Sequence, residues 1–270
     1  MRTPLLTVTF ISLLCITGCQ QTSESPSPTK GASGLRASEG VQTQPKKASA
    51  PSADSQRQPA AASKVELHAP LAESVKDILP MMDQISPDRK KQLKKLALFI
   101  ETKKKSGEEA DLTFICTHNS RRSHLSQLWS ATAAAYYGVQ GVKTYSGGTE
   151  STAFNPRAVA AVERAGFQVE KPEGENPHYL VSFGPQAQKQ ECYSKKYNDA
   201  KNPQKNFAAI MTCSQADKNC PTVEGAVLRV PIPYVDPKEA DGTPKEAATY
   251  DERSRQIASE MFYLFSQVHS

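Results

Sequence analysis

Leu112-Thr113-Phe114-Ile115-Cys116-Thr117-His118-Asn119-Ser120-Arg121-Arg122-Ser123 is the stretch that decides the fold. An apolar run of β type delivers a cysteine. Thr117, His118, Asn119, Ser120 and Arg121 follow, then Arg122, and Ser123 opens a helical pattern. A strand, a tight loop and a helix N-terminus in that order make an anion cradle. Backbone N–H groups converge on one point and the helix dipole favours negative charge there. Such a cradle favours the thiolate form of Cys116. The planar fork of Arg122 suits two oxygens of a tetrahedral oxyanion. The alternative is a buried strand-end cysteine with a solvated arginine nearby.

Outward from this loop the chain alternates strands and helices. Residues 112–116 form the first strand. Leu125, Leu128, Trp129 and Tyr136 mark the buried face of the helix after it, with Thr132 its one polar member and Gly138 its C-terminal cap. Residues 142–149 form a second strand. Asn155-Pro156 opens the next helix with a capping residue and a proline at the first helical position. That helix turns Ala158, Val159 and Val162 inward and ends at Gly166. A short strand is expected at 179–183, and the polar stretch 186–204 reads as an insertion. The near-continuous apolar run 207–213 marks a strand buried on both faces. Residues 226–230 form another strand. A closing helix carries Ile257, Met261, Leu264, Phe265 and Val268 on one face. This alternation implies a parallel sheet with helices on both sides. Ligands in such folds bind at the carboxyl ends of the strands, where Cys116 lies. Upstream, residues 70–105 read as one or two helices broken near Ser86-Pro87, with Leu93, Leu96 and Ile100 as the apolar stripe, packing on the outside of the main domain.

The N-terminus has the marks of an export signal. Arg2 precedes an apolar stretch at 5–16 that is too short to span a bilayer. Ile16-Thr17-Gly18-Cys19 then resembles the lipobox of bacterial lipoproteins, in which the cysteine is acylated and becomes the first mature residue. The division expected is a signal peptide at 1–18, a disordered tether at 19–64, an N-terminal helical segment at 65–110 and a catalytic domain at 111–270. Residues 20–64 are rich in Ser, Pro, Ala, Gln and Thr and lack aromatics, so they cannot offset the entropy of ordering. A flexible coil of that length spans roughly 35–40 Å. The expected location is therefore outside the cytoplasm, on a bacterial membrane through Cys19. Of the formal net charge of +5, the tether carries +3 and residues 65–270 only +1. The domain's near-neutral balance leaves no footprint for nucleic acid.

Four of the six cysteines fall in the domain: Cys116, Cys192, Cys213 and Cys220. Export invites a structural-disulfide reading. No pair has the close spacing of a zinc knuckle, so no metal is expected. His118 reads as a loop donor and His124 as a surface residue.

Cys213 ends a buried strand, Cys220 follows across a polar segment, and Asp236-Pro237 follows a further strand, so all lie on one rim of the sheet. With these features residues 110–268 resemble the thioredoxin-coupled arsenate reductases and the related low-molecular-weight protein tyrosine phosphatases. The resemblance rests on the C-x5-R-S loop, on Tyr145-Ser146-Gly147-Gly148-Thr149-Glu150, on Asn155-Pro156 and on Asp236-Pro237. The paired Cys213 and Cys220 are particular to the reductase branch. The fold it implies is a three-layer α/β sandwich on a central four-stranded parallel sheet, phosphotyrosine phosphatase I-like, preceded here by the N-terminal helices.

The mechanism it implies is stepwise. Cys116 attacks arsenate held by the loop amides and Arg122, Asp236 protonates the departing oxygen, and Ser123 supports the thiolate. Cys213 then attacks the Cys116 sulfur, and Cys220 resolves the disulfide for an external thioredoxin-like dithiol. No resident cofactor is implied. The runner-up is a phosphatase that forms a phospho-enzyme on Cys116, with Asp236 as acid and a protective or structural Cys213–Cys220 pair. A non-catalytic oxyanion-binding lipoprotein is a third reading. Two departures stand out: His118 where the family has glycine, and Arg121 where it often has cysteine. Lys238-Glu239 replaces the aromatic residues of the phosphatase branch. Gln127 replaces a glutamate found where a potassium ion is bound, so that ion is not carried over. Cys192 matches no family role.

Overall fold

The computed structural model describes residues 65–219 and 222–269. The signal peptide, Cys19, the tether and Cys220 lie outside the described residues.

Helix α1 (Ala69–Ile78) carries a proline in its first turn, where no backbone donor is needed. A short 3-10 turn leads from it to α2 (Pro87–Lys105), whose first turn is capped by the Ser86 hydroxyl accepting the Arg89 N–H. The two helices keep solvent-exposed outer faces and turn their apolar stripes inward. Leu71, Val75, Ile78, Leu93, Leu96 and Ile100 are buried in the same core as the sheet. Burying each such side chain contributes roughly 1.5–3 kcal/mol. Gly166 shows how close the approach is. Its φ is +102°, and a Cβ there would meet the Leu71 backbone nitrogen at 2.3 Å.

Strand β1 (Ala110–Cys116) is followed by α3 (Arg122–Tyr136), β2 (Val142–Gly148) and α4 (Pro156–Arg164). The Asn155 side chain caps α4 by accepting the Arg157 N–H. Then come β3 (Gln168–Glu170), β4 (Tyr179–Ser182), β5 (Gln190–Cys192) and β6 (Phe207–Met211). The chain continues through α5 (Ser214–Asn219), β7 (Ala226–Pro231) and α6 (Glu246–Ser266).

The main sheet has four parallel strands in the order β2-β1-β6-β7. One face, with Leu112, Phe114, Ala208, Ile210 and Val230, packs into the large core shared by α1, α2, α3, α4 and α6. The other, with Ile115, Phe207, Ala209 and Met211, is covered by Ala216 of α5, Val223 and Tyr197. The three expected layers are present with unequal thickness. Trp129 ties α3 to α6, its indole N–H donating to Ser254 Oγ at 2.9 Å. Strands β3, β4 and β5 form a separate antiparallel sheet. The expected strand at 179–183 therefore exists but belongs to this second sheet. Among the described residues no helix is long and apolar enough to cross a membrane.

Candidate active site

Cys116 is the last residue of β1 and faces Gly148, the last of β2. The loop that follows turns back at Asn119, whose φ of +44° lies in the left-handed region. Asparagine tolerates that region because its short side chain bonds locally. The loop carbonyls are occupied from outside. Cys116 O accepts Thr149 N–H, Thr117 O accepts Glu150 N–H, Ser120 O accepts Asn155 N–H, and His118 O accepts the Ser194 hydroxyl. The loop N–H groups from Thr117 to Arg121 donate to no group among the described residues. A loop bonded outward through its carbonyls presents its donors inward, as an oxyanion requires.

Gly148 is required beneath this loop. A Cβ there would lie 2.7 Å from Thr117 O and 2.8 Å from the Asn119 backbone nitrogen. The Asn119 side chain bonds in two directions. Its Oδ1 accepts the Lys195 N–H at 2.9 Å, and its Nδ2 donates to Ser123 Oγ at 2.9 Å. Ser123 Oγ lies 3.1 Å from Cys116 Sγ. With its lone pair engaged by the amide, the serine aims its proton at the sulfur.

Arg122, the first residue of α3, has two of its donors placed: Nη1 on Tyr234 O at 2.9 Å and Nη2 on Asp236 Oδ2 at 2.6 Å. Among the described residues its buried Nε has no hydrogen-bond partner, a donor left for a bound anion. Asp236 caps a single 3-10 turn (Pro237–Ala240) by accepting the Lys238 N–H. The structure thus brings together Cys116, Arg122, Ser123 and Asp236. Cys213 is buried just beyond β6. Its sulfur lies 3.4 Å from Thr117 Oγ1 and accepts the Ala216 N–H at 3.3 Å. Cys116, Cys192 and Cys213 are free thiols.

Two readings of the sequence are corrected. His124 is fully buried, not a surface residue. Its ring stacks on Phe154 with centroids 4.1 Å apart, and Nδ1 lies 3.1 Å from Ser146 Oγ. Burial, helped by the nearby Lys195 charge, holds its imidazole well below the ordinary histidine range. The stretch 186–204 is not a bare polar insertion. It supplies β5, and its buried Ser194, Lys195 and Asn202 brace the loop and β2 from behind. Burial pushes the Cys192 thiol up to about 12, which leaves it inert.

A network around Arg121 has no counterpart in any sequence motif. Arg121 Nε donates to Tyr250 OH at 2.8 Å, and Tyr250 OH donates to Asp241 Oδ1 at 2.8 Å. A hollow of about 350 Å³ beside the loop is lined by His118, Arg121, Thr152, Asn155, Pro156 and Lys238. Among the described residues its lining carries the basic side chains of Arg121 and Lys238 and no Phe, Tyr or Trp.

No family model matches the chain. Among curated proteins it is similar to an arsenate reductase of Bacillus licheniformis, 27% identical over 157 residues, covering 57% of this chain and 93% of the relative. An arsenate reductase of Bacillus subtilis is 28% identical over 149 residues, covering 55% of this chain and 88% of the relative. Among solved structures, a low-molecular-weight protein tyrosine phosphatase from T. tengcongensis aligns over 58% of this chain and 99% of its own, with 12% identity and a TM-score of 0.40. A thioredoxin-dependent arsenate reductase from Corynebacterium glutamicum aligns over 69% of this chain and 80% of its own, with 15% identity and a TM-score of 0.33.

Proposed function

We propose that this chain is an enzyme that reduces arsenate to arsenite through a Cys116 thiolate and a relay of Cys213 and Cys220. The loop N–H groups and Arg122 hold the arsenate oxygens. Cys116 attacks arsenic, a Cys116–arsenic bond forms, and one arsenate hydroxyl leaves as water with a proton from Asp236. Cys213 then attacks the Cys116 sulfur. The electron pair of the sulfur–arsenic bond passes to arsenic, which leaves as arsenite, and a Cys116–Cys213 disulfide remains. Cys220 attacks Cys213 and frees Cys116, and an external dithiol of thioredoxin type reduces the Cys213–Cys220 pair. Both electrons come from thiols, so the chemistry uses no prosthetic group. The observation that supports this reading is the second buried thiol beside the loop, Cys213 Sγ at 3.4 Å from Thr117 Oγ1. The similarity to curated arsenate reductases over nearly their whole length agrees with it.

A second reading is favoured by the completeness of the hydrolytic set among the described residues. Cys116, Ser123, Arg122 and Asp236 suffice for phosphomonoester hydrolysis through a phospho-enzyme. One experiment separates the two. Reduced protein is assayed for arsenate-dependent NADPH oxidation with thioredoxin and thioredoxin reductase, beside hydrolysis of phenyl phosphate. Arsenate turnover lost in both Cys213→Ala and Cys220→Ala supports the relay. Phenyl phosphate hydrolysis alone, indifferent to both changes, makes the protein a phosphatase.

We further propose that residues 1–18 are a signal peptide and that Cys19 is lipidated, with 19–64 as a tether, which places the enzyme outside the cytoplasm, anchored to a bacterial membrane. Its reductant is then a thioredoxin-like protein of the same compartment. Labelled palmitate on the wild type and its loss in Cys19→Ala is the expected result. A wild-type protein that takes up no labelled palmitate would refute the anchor.

A further inference from the structure

Two guanidinium groups face the carboxylate of Asp236. Arg122 Nη2 is bonded to Oδ2 at 2.6 Å, while Arg121 Nε stands 4.0 Å from Oδ1. Only one of them has a task at the reacting centre. When an oxyanion enters, Arg122 turns its donors to the anion and its hold on Asp236 loosens. Asp236 must then take up a proton to act as an acid. A second cation that closed to direct hydrogen-bond distance would oppose that strongly by favouring the carboxylate. Arg121 is the side chain in position to do so.

Its shorter contacts are to other groups and keep it from closing beyond 4.0 Å onto Asp236. The same Arg121 Nε donates to Tyr250 OH at 2.8 Å, and Nη2 faces Asp241 Oδ2 at 3.6 Å. Tyr250, buried in α6, donates its hydroxyl hydrogen bond to Asp241 Oδ1 at 2.8 Å. Burial first, and then the bond to Asp241, pushes the Tyr250 phenol up to about 12, so it stays a neutral donor over any working pH. Asp236 and Asp241 cap the two ends of one short helical turn, Pro237–Ala240, which fixes their separation. The remaining charged neighbours are placed elsewhere. Arg157 of α4 lies 3.8 Å from Asp241 but 2.7 Å from Glu246 of α6. Lys238, on the turn itself, gives Asp236 only its backbone N–H. Glu239 donates its backbone N–H to the Asp236 carbonyl and not to the carboxylate.

We propose that Asp241 and Tyr250 are positioning residues that keep the Arg121 guanidinium from closing from 4.0 Å to a direct bond with Asp236, so that Asp236 is free to carry the proton it delivers once an oxyanion has engaged Arg122. The proposal rests on the general-acid reading of Asp236 above. It gives a use to Arg121, the loop residue that the proposed mechanism otherwise leaves idle.

The test uses the full chain and whichever substrate it turns over, arsenate or phenyl phosphate, with kcat followed against pH. Asp236→Asn establishes whether the high-pH fall in kcat belongs to Asp236. Asp241→Asn should move that fall to lower pH by about one unit, lowering kcat at slightly alkaline pH by about tenfold with KM little changed. Tyr250→Phe should act in the same direction and more weakly, and it leaves every charge in place should Asp241→Asn fold poorly. In an Arg121→Gln background, Asp241→Asn should no longer move the profile, because the guanidinium it restrains is gone. A fall that disappears in Asp236→Asn but is unmoved by both Asp241→Asn and Tyr250→Phe overturns this proposal alone, and so does an equal shift with and without Arg121. A fall that survives Asp236→Asn overturns the acid reading and the proposal with it.

Discussion

The Asn119 amide donates to the Ser123 hydroxyl across 2.9 Å, and that bond decides where the serine proton points. The amide orientation is itself fixed, because Asn119 Oδ1 accepts the Lys195 N–H from the segment behind the loop. Ser123 therefore donates to Cys116 Sγ, 3.1 Å away. A hydrogen bond to a charged group contributes about 1.5–3 kcal/mol. Ser123→Ala should slow the alkylation of Cys116 by iodoacetamide at neutral pH by about 10- to 100-fold, with an equal fall in turnover. Unchanged alkylation in a folded Ser123→Ala protein would show that the serine does not support the thiolate.

Arg122 is predicted to resist conservative replacement. It holds Tyr234 O and Asp236 Oδ2 with its two terminal nitrogens while Nε remains unpartnered and buried. A lysine ammonium cannot reproduce that planar set of donors. Arg122→Lys should lower kcat/KM by about 10²- to 10³-fold, in line with the loss of one oriented donor to a developing oxyanion. Substrate titrations that show near wild-type kcat/KM for this variant would count against an oxyanion bound by a guanidinium fork.

The strand ending at Cys116 is legible in the sequence because a run of apolar and β-branched residues meets a polar loop at a sharp edge. Asn155-Pro156 is legible because capping chemistry is local. What stays hidden depends on contacts between distant residues. Ser194 and Lys195 reach His118 and Asn119 across 76 positions, and nothing local in the 186–204 stretch signals that. The burial of His124 is hidden for a related reason. The helix that carries it is covered on more than one side, so Ser123, His124, Ser126, Gln127 and Ser130 are all buried although each is polar. An amphipathic pattern sorts a helix into an inner and an outer face, and α3 has little outer face to sort. The N-terminal helices show their apolar stripes in the sequence, but their place in the core depends on a distant glycine. Gly166 lets α1 approach to backbone contact, and no pattern within 69–105 encodes that.

Gly148 gives a prediction that separates fold from site. A Cβ at this position would meet Glu150 O at 2.1 Å as well as the loop backbone. The neighbours are main-chain atoms and cannot rotate away. Gly148→Ala should destabilise the domain by about 1–3 kcal/mol, a fall in Tm of about 5 °C, and should remove activity even where the protein remains folded. Gly107→Ala is the control. Its φ is +70°, but no atom lies within 4 Å of where an alanine Cβ would sit. Backbone strain of about 1 kcal/mol is then the whole effect, and turnover should survive. A Gly148→Ala protein with normal thermal stability and normal turnover would show that the loop has room to shift.

His124 sets part of the acid sensitivity of the fold. Burial is the main reason its imidazole is held well below the ordinary value of 6.5, with the Lys195 charge second and the bond to the Asn119 backbone acting in the opposite direction. In the folded protein the ring stays neutral where in the unfolded chain it binds a proton. The unfolded state therefore holds more protons below pH 6.5, and stability must fall as pH drops from 6.5 toward the depressed folded value. The slope from one such group is about 1.4 kcal/mol per pH unit. His124→Asn lacks the titrating ring, so its urea midpoint should fall less than that of the wild type between about pH 7.5 and about pH 5.5. The absolute stability of the variant at the higher pH is irrelevant, since only the difference between the two pH values reports the histidine. Parallel losses in the two proteins would mean that His124 becomes protonated without unfolding, and that the packing of its ring against Phe154 and Ser146 tolerates a charge.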